Sequence, residues 1–159
     1  MREELPSTFK LVTVWLLLGT VVFLGFQAWE HRRHQSRIEV SGTQLRLQRS
    51  ADGHFHWPGA VNGQSTQFLV DTGATSTALP GPMARSLGLQ PLASVNSSTA
   101  GGTARGYIAQ VDLTLDGGVQ VRQLRVTVLP DLDSPLLGMD VLSRLQFRQR
   151  AGELLIEAP

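Results

Sequence analysis

The stretch QFLVDTGATSTALP, residues 67–80, places a single carboxylate, Asp71, directly after a short apolar run. Residues 68–70 predict a buried strand, because a short apolar run bounded by turn residues is typical of one. Gly73 permits a tight turn that β-branched neighbours would resist. The pattern predicts a carboxylate at a strand end, where backbone N–H groups of the turn hydrogen-bond it. A simple turn that caps a strand is the alternative.

The composition is that of one folded domain. The chain has 159 residues, of which 42% are apolar and 17% charged, so a packed core is expected and wholesale disorder is not. A formal charge of +1 gives no electrostatic sign of nucleic-acid binding, and we expect no nucleic-acid partner. The absence of cysteine excludes disulfides, thiolate metal sites and a cysteine nucleophile.

Residues 11–29 contain no charged side chain. A helix of about 20 apolar residues crosses a bilayer core, so we predict a transmembrane anchor over residues 9–29. A polar leader at 1–8 precedes it and a juxtamembrane linker at 30–43 follows. A buried core helix and a cleavable signal peptide are the alternatives, although a signal peptide usually has an apolar region of about 7–15 residues and a small-residue cleavage site.

The remaining residues, 44–159, have a mostly β pattern. Asn62-Gly63 and Asp116-Gly117-Gly118 each separate two strand-like runs and predict two hairpins. Alternation predicts that one strand face carries buried side chains, namely those of Val111, Leu113 and Leu115, with Val126 and Val128 on the return strand. Pro82 and Gly88 predict a short helix at residues 82–89, and the helical spacing of Met139, Leu142 and Leu145 predicts another at residues 138–145. Residues 94–106 are rich in Gly, Ser and Thr and predict either a surface loop or a mobile lid.

Two segments together resemble the retropepsin-like aspartic proteases. The first is the apolar run ending in Asp71-Thr72-Gly73-Ala74, and the second is Leu136-Leu137-Gly138-Met139-Asp140-Val141-Leu142. With the glycine-rich stretch between them, they are most similar to the bacterial single-domain, membrane-anchored members, over nearly all of residues 54–157. The resemblance implies an all-β fold, a closed or partly open β-barrel with one or two short helices, preceded by one N-terminal transmembrane helix.

The resemblance also implies roles for individual residues. Asp71 would be the catalytic carboxylate. The loop that supports it would be Thr72, Gly73 and Ala74, with Thr72 tying two loops together and Ala74 lining the cleft. The flap that covers substrate would have Thr99, Ala100, Gly101 and Gly102 at its tip. The ψ-shaped structural loop would contain Leu137, Gly138 and Asp140. Thr75 and Ser76 stand where viral relatives commonly have acidic residues, so substrate-backbone contacts of viral enzymes are not carried over.

Peptide hydrolysis of this kind needs two carboxylates that share one proton, because like charges a few Å apart cannot both ionise. No second segment of the chain has the pattern: Asp133 is followed by Pro135 instead of glycine, and Asp52 and Asp116 lack an apolar approach strand. The consistent solution is a homodimer in which Asp71 meets Asp71 of the partner subunit at a two-fold axis. The C-terminal run at 152–158 would be an edge strand at the dimer interface or part of the core.

The sequence thus predicts an aspartic endopeptidase that acts on a peptide or protein substrate without a cofactor or metal. His54 and His56 share a strand face, but two imidazoles without a third ligand make a weak metal site. The alternative function is a catalytically silent, membrane-tethered peptide-binding module. Similar bacterial proteins imply a single-pass inner-membrane protein with a periplasmic domain, whereas the count of flanking cationic residues favours the opposite orientation by one residue.

Overall fold

The computed structural model describes residues 7–33, 38–41, 44–99 and 102–157, and within them the side chains of 11–27, 44–98 and 102–157. The chain forms two compact units, Met1–Gln35 and Ser36–Pro159. The first unit contains helix α1, Ser7–Arg33, whose described apolar side chains are exposed.

In the part of the chain that the structure describes, no helix combines the length and the apolar content needed to cross a membrane. The transmembrane anchor predicted over residues 9–29 is therefore not confirmed. The leader predicted at 1–8 lies largely outside the described residues. Of the linker predicted at 30–43, residues 38–41 form a strand that pairs with the strand beginning at Gln44.

The second unit is built from eleven strands and two short helices in the described residues. In chain order they are β1 Ile38–Ser41, β2 Gln44–Gln48, β3 His56–Val61, β4 Gln64–Val70, β5 Ala78–Pro80, α2 Gly81–Ser86, β6 Ala93–Thr99, β7 Gly102–Leu115, β8 Val119–Leu129, β9 Leu136–Leu137, α3 Met139–Leu142, β10 Gln146–Arg150 and β11 Glu153–Glu157.

Six of these strands close a barrel. Hydrogen bonds link the strands in the order β3-β4-β9-β5-β8-β7, and β7 pairs again with β3 through Gly59 and Leu115 to complete the ring. Strand β6 extends the sheet beyond β7 as a hairpin. The predicted all-β barrel with two short helices is confirmed.

A second sheet of four strands, in the order β1-β2-β11-β10, completes the domain. Strand β11 lies inside this sheet, between β2 and β10, and its Leu154 and Ile156 are buried in the core. The C-terminal run is therefore a core strand and not an edge strand.

Both predicted hairpin turns are present, and their backbone explains the residues that form them. Asn62 and Gly63 have φ of +49° and +83°, the left-handed pair that a two-residue turn of this type requires. Gly117 and Gly118 turn the chain between β7 and β8 with φ of +93° and +89°.

The core fills the barrel and continues onto the second sheet. The predicted alternating face is buried in full: Val111, Leu113, Leu115, Val126 and Val128. Trp57 and Phe68 are completely enclosed, and the Trp57 Nε1–H donates to the carbonyl of Asp116 at 2.8 Å. This bond satisfies the indole N–H inside the core and pins the start of β3 to the turn that follows β7.

Strand β9 passes between two strands that belong to the active-site segment. It runs parallel to β4, with Val70 opposite Leu137, and antiparallel to β5, with Ala78 opposite Leu136. Gly138, which follows β9, passes so close to the chain that a Cβ there would lie 2.5 Å from the carbonyl carbon of Ser76 and 2.8 Å from the nitrogen of Thr77. The predicted ψ-shaped crossing is present, and it requires a residue without a side chain.

We expect Gly138→Ala to lower the free energy of unfolding of the domain by about 3 kcal/mol, because the added methyl group overlaps main-chain atoms that cannot rotate away. Urea unfolding followed by circular dichroism measures this loss. Gly25→Ala is the matched control, since its Cβ meets nothing within 4 Å. Equal stability of the two variants would contradict this account of the crossing.

Candidate active site

Asp71 lies at the end of β4, where the strand gives way to the predicted turn. Its N–H donates to the carbonyl of Leu137 at 3.0 Å, which ties the residue to β9. The N–H of Gly73 donates to Asp71 Oδ1 at 2.8 Å, and the N–H of Ala74 donates to the Asp71 carbonyl at 3.3 Å. A half-buried carboxylate is thus held at a strand end by the backbone of its own turn.

Gly73 lies in the turn that the sequence predicts. Its φ is not in the left-handed region, so the backbone angle by itself does not demand glycine. A Cβ at this position would lie 3.2 Å from Asp71 Oδ1, closer than such atoms ordinarily approach. Glycine therefore leaves room for the carboxylate to accept the Gly73 N–H within the turn.

The segment of residues 136–142 supports the Asp-Thr-Gly-Ala loop through backbone hydrogen bonds. The N–H of Met139 donates to the carbonyl of Ala74 at 2.8 Å, and the N–H of Asp140 donates to the carbonyl of Thr75 at 3.2 Å. These bonds place the first turn of α3 directly against the Asp-Thr-Gly-Ala loop. The predicted association of Leu137, Gly138 and Asp140 with this loop is present.

The sequence analysis did not find Thr77, which is the partner of Asp140. The Thr77 N–H donates to both carboxylate oxygens at 2.9 Å, and the Thr77 hydroxyl donates to Oδ1 at 2.8 Å. The same hydroxyl accepts the N–H of Gly138 at 3.2 Å. Thr77 is fully buried. A threonine directly before an apolar strand was the available signal, but its partner is 63 positions away.

The remaining predicted site residues lie at the surface or outside the described part of the chain. Thr72 and Gly73 are exposed, and Ala74 is half-buried. The described residues on either side of positions 100 and 101 form the paired strands β6 and β7, with Thr99 opposite Gly102 at the end of the ladder. Ala100 and Gly101, predicted as the flap tip, lie outside the described residues. Gly102 has φ of +112°, which favours glycine at the start of the return strand.

A cavity of about 500 Å³ lies between the start of β7 and the segment that follows β8. Its lining residues are Gly102, Thr103, Ala104, Arg105, Leu129, Pro130, Asp131 and Leu132. A smaller cavity of about 190 Å³ lies on the second sheet, lined by residues of β2, β10 and β11. The larger cavity is next to the end of the β6–β7 ladder and has the size of a small ligand site.

His54 lies in a tight turn before β3, and His56 is the first residue of β3. Asp52 Oδ1 accepts the N–H of His54 at 3.0 Å, and Asp52 Oδ2 lies 2.6 Å from His56 Nε2. Among the described residues, no group of three or more acidic, histidine or cysteine side chains is arranged to hold a metal ion. These histidines therefore bond within the turn.

Burial by itself raises the pKa of the Asp52 carboxyl, but the hydrogen bonds from His54 and His56 and the charges of the two imidazoles outweigh it. The pKa of Asp52 is therefore lower than its ordinary value. A carboxylate with a lowered pKa stabilises the fold above the ordinary aspartate pKa of about 3.9, and this contribution disappears as the pH falls through the folded-state value. The ionised Asp52 carboxylate therefore continues to stabilise the turn before β3 under mildly acidic conditions.

The barrel, the ψ-shaped crossing and the Asp-Thr-Gly loop together define the fold of the retropepsin-like aspartic proteases. The family described as gag-polyprotein putative aspartyl protease matches residues 57–144, and the chain belongs to this family. A retropepsin-like aspartic protease from Rickettsia conorii has a similar solved structure, with a TM-score of 0.59 and 28% identity over 79% of this chain and 97% of that one.

Other relatives extend the comparison. The EIAV protease in complex with the inhibitor HBY-793 shares the fold, with a TM-score of 0.52 and 20% identity over 59% of this chain and 89% of that one. An uncharacterized protein of Rickettsia prowazekii is 32% identical over 98% of this chain and 73% of its own length. An uncharacterized Sinorhizobium protein is 36% identical over 68% of this chain, and the match spans about half of that protein, 49%.

We expect Asp140→Ala to destabilise the domain by about 2–4 kcal/mol, because it leaves the N–H and hydroxyl of buried Thr77 without an acceptor. Asp140→Asn retains one acceptor oxygen and should lose less. Urea unfolding measures the stability of both variants. Asp133→Ala is the control, because it removes an exposed carboxylate that is not bonded to Thr77. If Asp140→Ala is as stable as the Asp133 variant, the bond to Thr77 does not hold the site.

Proposed function

We propose that this protein is an aspartic endopeptidase in which Asp71 supplies the catalytic carboxylate. The observation that carries the proposal is the position of Asp71. It is half-buried at the end of β4, its carboxylate accepts the Gly73 N–H, and its backbone is tied to β9. A carboxylate fixed in this way has the orientation that general acid–base chemistry needs. Membership of the aspartyl protease family supports the same conclusion.

The reaction uses two carboxylates that share one proton. The ionised carboxylate accepts a proton from a bound water as the water oxygen attacks the carbonyl carbon of the peptide. The protonated carboxylate donates a hydrogen bond to the carbonyl oxygen, which stabilises the charge that develops there. A proton then passes to the leaving nitrogen and the carbon–nitrogen bond breaks. The step is a hydrolysis that needs no covalent intermediate.

We propose that the second carboxylate is Asp71 of the partner subunit in a homodimer. Among the residues that the structure describes, Asp71 is the one aspartate that follows a barrel strand and leads into an Asp-Thr-Gly turn. The exposure of Thr72 and Gly73 supports the proposal, because a loop at a two-fold interface must be accessible in the single chain. A peptide would bind across the two-fold axis between two flap hairpins.

A peptide-binding module without catalysis is the second candidate, and the presence of a single Asp-Thr-Gly segment in the chain favours it. Such a module would keep the barrel and the cavity beside the flap while remaining monomeric. The two candidates differ in one measurable property, which is whether the wild-type chain hydrolyses any peptide in an unbiased peptide library.

We expect Asp71→Asn to reduce kcat/KM by about 10³-fold or more, since an amide cannot exchange the proton. Cleavage of a peptide found by library profiling measures this loss, and circular dichroism checks that the variant is folded. Asp133→Asn is the matched control, because it neutralises an exposed aspartate outside the loop. Retained activity in Asp71→Asn would exclude the proposed mechanism.

Mixtures of wild type and Asp71→Asn test the dimer separately. If each active site needs one carboxylate from each subunit, an equimolar mixture at fixed total concentration retains about one quarter of the wild-type activity after exchange. If each chain acts alone, the mixture retains about one half. The second result would refute the shared dyad while leaving Asp71 essential.

We further propose that the protein is located at the bacterial inner membrane with its folded domain in the periplasm. The support is the uncharged sequence of residues 11–29 and the resemblance to membrane-anchored bacterial proteins. Alkaline phosphatase fused to the C-terminus should be active in intact cells and should sediment with membranes. An inactive fusion in the membrane fraction would reverse the orientation, and a fusion in the soluble fraction would exclude the anchor.

A further inference from the structure

The turn before β3 lies beside the strand that carries the catalytic carboxylate. His56 is the strand partner of Leu69, and the N–H of Val70 donates to the carbonyl of Phe55 at 2.9 Å. Continuing this antiparallel register by one more residue along each chain places His54 opposite Asp71. A histidine therefore occupies the position next to the catalytic residue on the neighbouring segment.

The hydrogen bonds also determine which kind of strand pair this is. In an antiparallel ladder, hydrogen-bonded pairs alternate with non-hydrogen-bonded pairs, whose Cα atoms are closer, at about 4.5 Å. Phe55 and Val70 are hydrogen-bonded, so His54 and Asp71 occupy the closer kind of position. In agreement, the N–H of Asp71 points away from this side and donates to the carbonyl of Leu137.

Burial places His54 on the same face as the carboxylate. Phe55 is buried and Val70 packs against the core, so this pair faces the barrel interior. Because side chains alternate between the two faces of a strand, His54 and Asp71 both face away from that interior. His54 is exposed and Asp71 half-buried. The imidazole is thus accessible to a ligand bound over Asp71.

The backbone of His54 is held at both ends. Its N–H donates to Asp52 Oδ1 at 3.0 Å, and its carbonyl accepts the N–H of Ser50 at 2.8 Å. The other oxygen of Asp52 bonds to His56 Nε2, which ties the turn to β3. A residue anchored in this way by its backbone, with an exposed side chain, is suited to contacting a substrate.

The charged groups on the segments next to His54 come from several parts of the fold. Asp52 belongs to its own turn, His56 begins β3, and Asp71 follows β4. The guanidinium of Arg49, which follows β2, lies 5.5 Å from the centre of the Phe55 ring. Both oxygens of Asp52 are engaged within the turn: Oδ1 accepts the His54 N–H, and Oδ2 bonds to His56 Nε2. These two bonds do not involve the His54 ring, so a substrate carboxylate could contact the ring without breaking them.

We infer that His54 is a specificity-determining residue that favours an aspartate or glutamate side chain close to the scissile bond of the substrate. This inference depends on the proposed endopeptidase function. A protonated imidazole donates from both ring nitrogens, and its bonds to a carboxylate are charge-assisted.

The proposed two-fold symmetry determines where the acidic side chains should lie. Each subunit supplies one His54, so one imidazole flanks the paired carboxylates on each side of the scissile bond. An extended peptide advances about 3.3 Å per residue, and His54 is displaced from Asp71 by about 4.5 Å at Cα. The preferred carboxylates are therefore expected one or two residues from the cleaved bond, on either side.

Matched peptides that differ by glutamate against glutamine at these positions test the inference with the full chain. At pH 5, the wild-type ratio of kcat/KM for the glutamate peptide to that for the glutamine peptide should be about ten. His54→Gln should bring this ratio near one, mainly through slower cleavage of the glutamate peptide. His54→Arg should hold the ratio near ten.

Arg122→Gln is the control variant, because it removes an exposed positive charge on β8, and it should keep the wild-type ratios. If His54→Gln cleaves peptides but keeps the preference for glutamate, the inference is overturned and the endopeptidase remains. If His54→Gln lowers cleavage of both peptides equally, His54 supports the site without selecting substrate, which also overturns it. A wild-type chain that cleaves no peptide overturns both proposals.

Discussion

The whole site depends on the hydrogen bonds between Asp140 and Thr77. One carboxylate accepts both the N–H and the hydroxyl of a fully buried threonine, so neither buried donor is left without a partner. The Thr77 hydroxyl in turn accepts the N–H of Gly138, which draws the chain after β9 against the segment before β5. This close approach is possible only because Gly138 has no side chain. The crossing then offers the Leu137 carbonyl to the N–H of Asp71. The Asp140 carboxylate, which lies beneath the site, thus helps to position the Asp71 carboxylate within it.

The functional proposals follow from the same arrangement. A single chain supplies one carboxylate in an accessible loop, whereas the chemistry needs two that share a proton. In the proposed homodimer, two-fold symmetry would use the same loop twice and would duplicate every neighbour of Asp71 as well. The turn that carries His54 is bonded to the strand of Asp71, so it too would appear on both sides of the dyad. The Asp52 carboxylate keeps that turn in place, and its lowered pKa preserves the charge under mildly acidic conditions.

Local patterns in the sequence predicted much of the fold correctly. Asn62-Gly63 and Gly117-Gly118 formed turns because their backbone angles suit few other residues. The burial of Val111, Leu113 and Leu115 followed from alternation alone. Other features depended on contacts between distant residues and were missed or misread. The role of Thr77 depends on Asp140, the need for glycine at position 73 comes from the nearby carboxylate, and the position of β11 depends on its pairing with β2. Local propensity carries no information about such partners.

The amino-acid sequence by itself determined the class of the domain, the candidate catalytic residue and the order of loop, flap and ψ-shaped crossing. These features reside in short segments, where turn chemistry and strand periodicity act within a few residues. Only the tertiary structure decided what lies around Asp71 and the strand that carries it: the Leu137 carbonyl bonded to Asp71, the Phe55 carbonyl bonded to Val70, and the Thr77–Asp140 pair below. The physical reason is that hydrogen bonds and packing act between groups that are close in space. Residues far apart in the sequence become neighbours only when the barrel closes.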